Sequence, residues 1–565
     1  MDLRAAVLTV SSLLAVPPAS SSPAVIPAAE KAAAAEKAAA AEITPELIRA
    51  HVRFLASDLL EGRGPGSRGD RLGQEYIAAQ LEALGIQPGA PGGGWYQKVP
   101  LIGITSQVPD TMTLTAKNRS LTLKRSDDFI ATSGTQNPTA RLDDAELVFV
   151  GYGIVAPEYR WDDFKDADVR GKVLVVMNND PESDPALFAG KARLRYGRWD
   201  YKYEQAAKKG AAGVVIIHTT PSAAYPWQVV QTSWSGERFE LPDDGSPRLE
   251  LQGWATEEAS RRIAALGGKD LDALRKSAES HKFRPVPLGV RLALTMANTI
   301  EKTTSANVIG VITGSGPKLT KEAVLYTAHH DHLGVKAGAK PGDDAIYNGA
   351  LDNASGVGAV LAIAAAFADL PKPAGRSVYF AFVAGEEQGL LGSEYLAKHP
   401  PVPAGRIAAN INIDGAAIWG KTRDVSAIGL GKSSLDRDIL AIAAAQGRTV
   451  KPDEFPDRGS FYRSDQFNFA RIGVPAAYLK SGTEVIGKPA GWGREQIDLY
   501  TRTDYHQPSD HYRDSWDLAG AVEDAQLCFY LGVAVANAPT LPEWNKGDEF
   551  EAARKRALAE AASAP

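Results

Sequence analysis

Acids and histidines gather in a few short stretches of this sequence: His329-His330-Asp331-His332, Asp352-Asn353, Glu386-Glu387, Asp414 and His506. Imidazole and carboxylate without thiolate form a donor set for Zn²⁺ or a similar divalent ion, and a bridging carboxylate suits two ions about 3.5–4 Å apart. Charge counting points to a pair of ions. Two Zn²⁺ bring about +4, and Asp352, Glu387 and Asp414 return about −3, leaving a positive residue that acidifies a water. Glu386 then stays outside the ligand set, free to take a proton. Each residue alone has a plainer explanation: Asp352 before a helix is an ordinary N-cap, and a Glu-Glu pair is common on exposed loops. Only the full set carries the metal reading.

The elements that must position these residues are predicted by alternation. From Ser305 onward, apolar strands (ANVIGVI, EAVLYTA, SVYFAFV, IAANINI, VPAAYL) alternate with helices over 356–370, 390–398 and 435–446, and a final helix over 518–536 packs on the sheet. Such alternation predicts an α/β fold with a mostly parallel, mixed sheet and helices on both faces. In open α/β sheets the reactive groups lie beyond the carboxyl ends of the strands. His329 follows EAVLYTA, Glu386 and Glu387 follow SVYFAFV, and Asp414 follows IAANINI. Asp352 and His506 sit on loops that can reach the same place.

Upstream the pattern differs. Residues 1–22 (MDLRAAVLTVSSLLAVPPASSS) have the layout of a secretory signal, with too few apolar residues to span a bilayer. Residues 23–42 contain the spacer-like repeat AAEKAAAAEKAAAAE and are expected to be a tether. Thr44-Pro45-Glu46 opens an amphipathic helix, a second is expected over 69–84, and the glycine-rich stretch between them is a loop. The predicted organisation is a catalytic domain in two parts, 43–140 and 291–542, a separate β-rich unit over 141–290, and a charged tail over 543–565 that forms a surface helix or frayed end. His218 ends an apolar strand of the middle unit and is expected to be structural.

At 565 residues the chain exceeds one core. A formal charge of −6 with no basic run argues against nucleic acid. No segment after the N-terminus is expected to span a membrane. Cys528, the only cysteine, rules out an intramolecular disulfide and is read as a core thiol. Together with the signal layout this predicts export, to a periplasm or outside the cell.

The motifs Ala328-His329-His330-Asp331, Leu351-Asp352-Asn353-Ala354-Ser355-Gly356, Gly385-Glu386-Glu387, Asn412-Ile413-Asp414 and Tyr505-His506-Gln507-Pro508-Ser509-Asp510 occur in an order that resembles the M28 family of co-catalytic zinc peptidases. Gly171-Lys172-Val173 and Gly210-Ala211-Ala212-Gly213-Val214 resemble an inserted protease-associated domain, which usually lacks ligands of its own. Segments between Leu55 and Gly69 resemble the family's N-terminal portion. The resemblance implies two Zn²⁺ per chain: His329 and Asp414 on one, Glu387 and His506 on the other, and Asp352 bridging. It also implies Glu386 as general base, Asp331 as the carboxylate that orients the ligand histidine, and Tyr505 as a hydroxyl donor to the oxyanion. The implied activity is hydrolysis of N-terminal residues from a peptide substrate.

Alternatives stay open. A carboxypeptidase or dipeptidase on the same scaffold needs a cationic clamp, for which Arg463, Arg494 and Arg502 are candidates. A glutaminyl cyclase would not need all five ligands, and a non-catalytic binding protein would have lost some. His330 and His332 are read as neighbours of the site and His511 as a surface group. The sequence does not give the oligomeric state.

Overall fold

The computed structural model describes residues 28–184 and 187–563, so the expected signal sequence lies outside the described residues. The fold is mixed α/β, as predicted. Strand Ala323–His329 runs parallel to Ser377–Val383 on one side and Ile407–Asn412 on the other, and Ile407–Asn412 is parallel to Ala476–Ser481. Ala323–His329 and Ile407–Asn412 are buried along their whole length, which explains why they read as continuous apolar runs without alternation. Helix Ser355–Asp369 is almost wholly buried and packs with Pro45–Leu55 and Ala519–Asn537. Pro45–Leu55 begins as its sequence dictates: Thr44 caps the Leu47 amide, Pro45 occupies the first turn, and Ile48, Val52 and Leu55 form the buried face.

Two helices, Ala350–Asp369 and Ala519–Asn537, do reach the length and hydropathy of a membrane span. Length and hydropathy alone do not make either of them a span. Both are mostly buried inside this fold, 89% and 61% of the apolar window respectively, so their hydropathy is that of core helices.

A second core joins the first through a long two-stranded ribbon: residues 297–308 of strand Val286–Ile312 pair antiparallel with 96–107. This core begins at Met112, not at 141, because the hairpin Thr111–Ala116 and Arg119–Lys124 and the strand Phe129–Thr132 pack within it. Its centre is another parallel set, with Val173–Met177 between Thr139–Phe149 and Gly213–His218, and Gly213–His218 beside Leu251–Thr256. The hydrophobic cluster of this unit therefore draws on residues upstream of 141.

Both ends of the described residues dock more firmly than their composition predicts. The tether reading fails for the last turn of helix Ala28–Ala41, where Ala39 and Ala40 are buried and the Ala40 carbonyl accepts from Gln526. In the tail, helix Glu551–Ser563 buries Arg554, whose guanidinium donates to the carbonyls of Ile407 and Pro542, and Trp544 and Phe550 enter an aromatic cluster.

Candidate metal centre

The strand ends converge. His329 Nε2 lies 3.1 Å from Asp352 Oδ1 and 3.6 Å from Asp414 Oδ1. His506 Nε2 lies 3.0 Å from Glu387 Oε2 and 3.4 Å from Asp352 Oδ2. Asp352 thus faces both histidines, one through each oxygen. Donor atoms of His329, Asp352 and Asp414 lie within 4.8 Å of one another, as do those of His329, Glu386 and Glu387, and those of His332, Asp352 and Glu387.

Backbone and buried polar groups hold this geometry. Asp510 receives the amides of Leu351 and Asp352 and the Tyr500 hydroxyl. Asp331 receives the Glu386 amide at 3.0 Å and the Glu387 amide at 3.4 Å. Its carboxylate stands 3.8 Å from His329 Nδ1, which instead faces the Asp331 carbonyl at 3.3 Å. The side chain of Asp331 therefore holds the Glu386-Glu387 turn, and its contact with His329 is through the main chain. Gly385 makes this turn possible, at φ +65 with Leu391 against its Cα. Arg63 is buried and reaches from the N-terminal segment to donate to the carbonyls of Leu55, His330, Asn348 and Gly349, tying together the loops that carry His329 and Asp352. A side chain at Gly62 would collide with the Gly334 carbonyl, so glycine is required where this segment meets the His332–Gly334 loop.

The electrostatics call for cations. Against the effect of burial, His506 and His332 bring the Glu387 carboxyl down to about 2, and Lys480 and His329 do the same for Asp414. Burial opposes the charged form of His506 too, but Glu387 and Asp352 raise it to about 10. Burial, reinforced by Glu387 and Asp414, holds the Glu386 carboxyl well above the usual range. Taking each ion out of water costs several kcal/mol unless it is compensated. His329 Nε2 is buried with no hydrogen-bond partner although two carboxylates face it. Half-buried carboxylates converging on buried imidazole nitrogens that lack partners fit divalent ions, and imidazole with carboxylate is a donor set that suits zinc.

A cavity of about 250 Å³ opens beside this cluster, with Asp352, Glu386 and Asp414 in its wall. Trp419, Ile428, Phe455 and Ile497 supply apolar surface, and Tyr505 and Arg463 line it as well. Tyr505 packs its ring 3.9 Å from that of His506. The second unit contributes Tyr225, whose ring lies 5.4 Å from the Arg463 guanidinium.

The structure brings His329, Asp352, Glu386, Glu387, Asp414 and His506 together, with Asp331 and Tyr505 against them. The remaining histidines separate into distinct environments. His330 turns away, its Nε2 3.0 Å from the Ala306 carbonyl, while His511 is exposed. His218 sits 3.1 Å from the Tyr225 carbonyl among aromatic rings. His332 is closer to the centre than its sequence context suggested: Nδ1 is 2.6 Å from Glu387 Oε1, and its buried Nε2 has no partner. Its position directly after the His-x-Asp motif was the signal that could have found it. Arg63 had a fainter one, a polar residue between glycines in a segment otherwise lacking apolar residues.

Residues 307–530 match the model of peptidase family M28, and that stretch contains every one of the converging acids and histidines. No curated protein matches the chain. Among solved structures it is similar to the aminopeptidase from Aneurinibacillus sp. strain AM-1, at 19% identity and TM-score 0.52, covering 90% of this chain and 97% of that one. A peptidase M28 precursor from Shewanella amazonensis SB2B gives 17% identity, TM-score 0.48, and coverage of 91% and 98%. The zinc aminopeptidase BSAP from Bacillus subtilis gives 16%, 0.44, and 90% and 97%.

Proposed function

We propose that this protein, whose residues 307–530 match the model of peptidase family M28, is a two-zinc aminopeptidase that removes N-terminal residues from peptides. The observation that carries the reading is Asp352 facing His329 with one oxygen and His506 with the other, beside a cavity that also holds Glu386. His329 and Asp414 would hold one ion, Glu387 and His506 the other, and Asp352 both. Bound there, zinc supplies Lewis-acid polarisation of the substrate carbonyl and acidification of water.

The chain's own residues do the rest. Glu386 takes the proton of the attacking water and returns it to the departing amine. Its backbone amide, fixed on Asp331, sets the carboxylate's position at the end of its strand. The Tyr505 hydroxyl donates to the oxygen on which charge develops. Asp453, an acid of the cavity wall outside the ligand set, is the anionic group for a free ammonium, and Trp419, Ile428, Phe455 and Ile497 favour a large aliphatic or aromatic first side chain. We read the second unit as a protease-associated domain and the chain as exported.

Arg463 in the cavity wall favours a second reading, a carboxypeptidase or dipeptidase with that guanidinium as carboxylate clamp. Arg494 is already paired with Glu454 at 2.8 Å. The test is metal content together with hydrolysis of aminoacyl substrates, free and blocked at either end. Two zinc per chain and cleavage of free amines alone support the aminopeptidase. Cleavage only of free-carboxylate peptides moves the assignment to the second reading, and absence of zinc uptake overturns both.

A further inference from the structure

The second unit reaches into the metal centre. His506 turns Nε2 toward Glu387 and Asp352 and presents Nδ1 to Ser233 Oγ, 2.7 Å away. Ser233 closes helix Trp227–Ser233 of the second unit and is 273 positions from His506 in sequence. The serine is itself fixed. Arg238 donates to its carbonyl at 2.6 Å and lies over the Trp234 ring, with guanidinium carbon and ring centroid 4.8 Å apart. The other end of the same helix is tied to helix Trp492–Thr503, which leads into the His506 loop, since Gln228 donates to the Arg502 carbonyl at 2.9 Å. His506 needs such support because its backbone is left-handed, φ +57, a conformation that a non-glycine residue holds only when its surroundings impose it.

A neutral imidazole has one nitrogen with a lone pair and one with a proton, and the hydrogen bond at one decides the state of the other. For Nε2 to bind a cation, Nδ1 must carry the proton, and Ser233 Oγ is the acceptor placed to receive it. We infer that Ser233 is a positioning residue for the metal centre, fixing the tautomer and ring orientation of His506, so that the inserted unit completes one of the two ion sites. This rests on the two-zinc reading above. It gives the second unit, which brings no ligand of its own, a direct part in holding the ion.

The experiment measures zinc affinity of the full chain by competition with a chromogenic chelator, independently of turnover, for the wild type and for Ser233→Ala, Ser233→Thr and Gln228→Ala. Loss of a partner that orients a ligand histidine weakens metal binding by about 10–100-fold. The expected result is that loss for one of two ions in Ser233→Ala, near-wild-type affinity in Ser233→Thr, which keeps the hydroxyl, and near-wild-type affinity in Gln228→Ala, which cuts a neighbouring tie between the units. Wild-type affinity in Ser233→Ala overturns the inference alone. So does equal weakening in Ser233→Thr or Gln228→Ala, since the effect would then be one of docking. A wild-type chain that binds no zinc overturns the underlying reading as well.

Discussion

Two sets of parallel strands lie in this one chain, and their carboxyl ends differ in how their polar groups are met. In the second unit, Asn178 after Val173–Met177 donates to the Ser222 carbonyl, Asp180 receives the Leu194 amide, His218 meets the Tyr225 carbonyl, and Thr256 caps the Ala259 amide. Lys202 is buried beside them and donates to the carbonyls of Tyr152 and Asn179, which gives this end an internal donor. At the corresponding end of the other set, the His329 Nε2 lacks any such partner while carboxylates crowd round it. Parallel topology brings polar residues to a strand end in both cases. What distinguishes the reactive end is that the protein leaves its lone pairs and charges for something else to satisfy.

The most severe test of that contrast is Glu386→Gln against Asp180→Asn. The first should lower turnover about 10²–10⁴-fold, the range for loss of a general base, with zinc content retained. The second changes a carboxylate occupied by a backbone amide and should leave turnover unchanged. Substantial activity in zinc-loaded Glu386→Gln removes the assigned base. Next in size is Lys202→Met, which strands the buried carbonyls of Tyr152 and Asn179. It should cost about 3 kcal/mol, read by denaturant unfolding, whether or not zinc is present. Chelation should instead lower the melting temperature of the wild type reversibly, with zinc restoring it. If Lys202→Met were restored by zinc as well, the two ends would not be separate.

The reactive end was legible because three of its motifs, those of His329, Glu386-Glu387 and Asp414, follow apolar strands, so residue type and fold position could be read together. Where a role depends on residues distant in sequence, that reading stopped. Arg63 acts on His330, Asn348 and Gly349, and Ser233 on His506, and no local pattern announces either partnership. The start of the second unit was missed for a related reason. TMTLTA alternates buried and exposed residues as any half-buried strand does, and nothing in that alternation says which core its buried face meets. The carboxylate of Asp331, expected to orient His329, stands 3.8 Å from its Nδ1 and also accepts the two amides after Gly385, a second task that no local pattern announces.

His218 allows a finer test through pH. Burial lowers its pKa from 6.5 to about 4. Between those values the unfolded chain binds more protons than the folded one, so stability rises with pH across this window, is fully present above about 6.5, and is lost as pH falls toward about 4. The full effect is on the order of 3 kcal/mol. His218→Gln should flatten the pH dependence of unfolding over that range and leave zinc affinity unaltered. An unchanged slope would mean that the imidazole is not held neutral by its surroundings.

The smallest effect belongs to Thr256, the residue in the second unit that ends its strand as His329 ends its own. Its hydroxyl accepts the Ala259 amide at 3.2 Å and so caps the helix Glu257–Leu266. Thr256→Ala should cost about 1 kcal/mol of stability, seen as a small fall in denaturant midpoint, with zinc binding and turnover untouched. His329→Ala, in the other set, should abolish binding of one ion. If Thr256→Ala also loosened zinc, the strand ends of the second unit would be coupled to the centre by more than the Ser233 contact, and the division between a satisfied and a reactive end would fail.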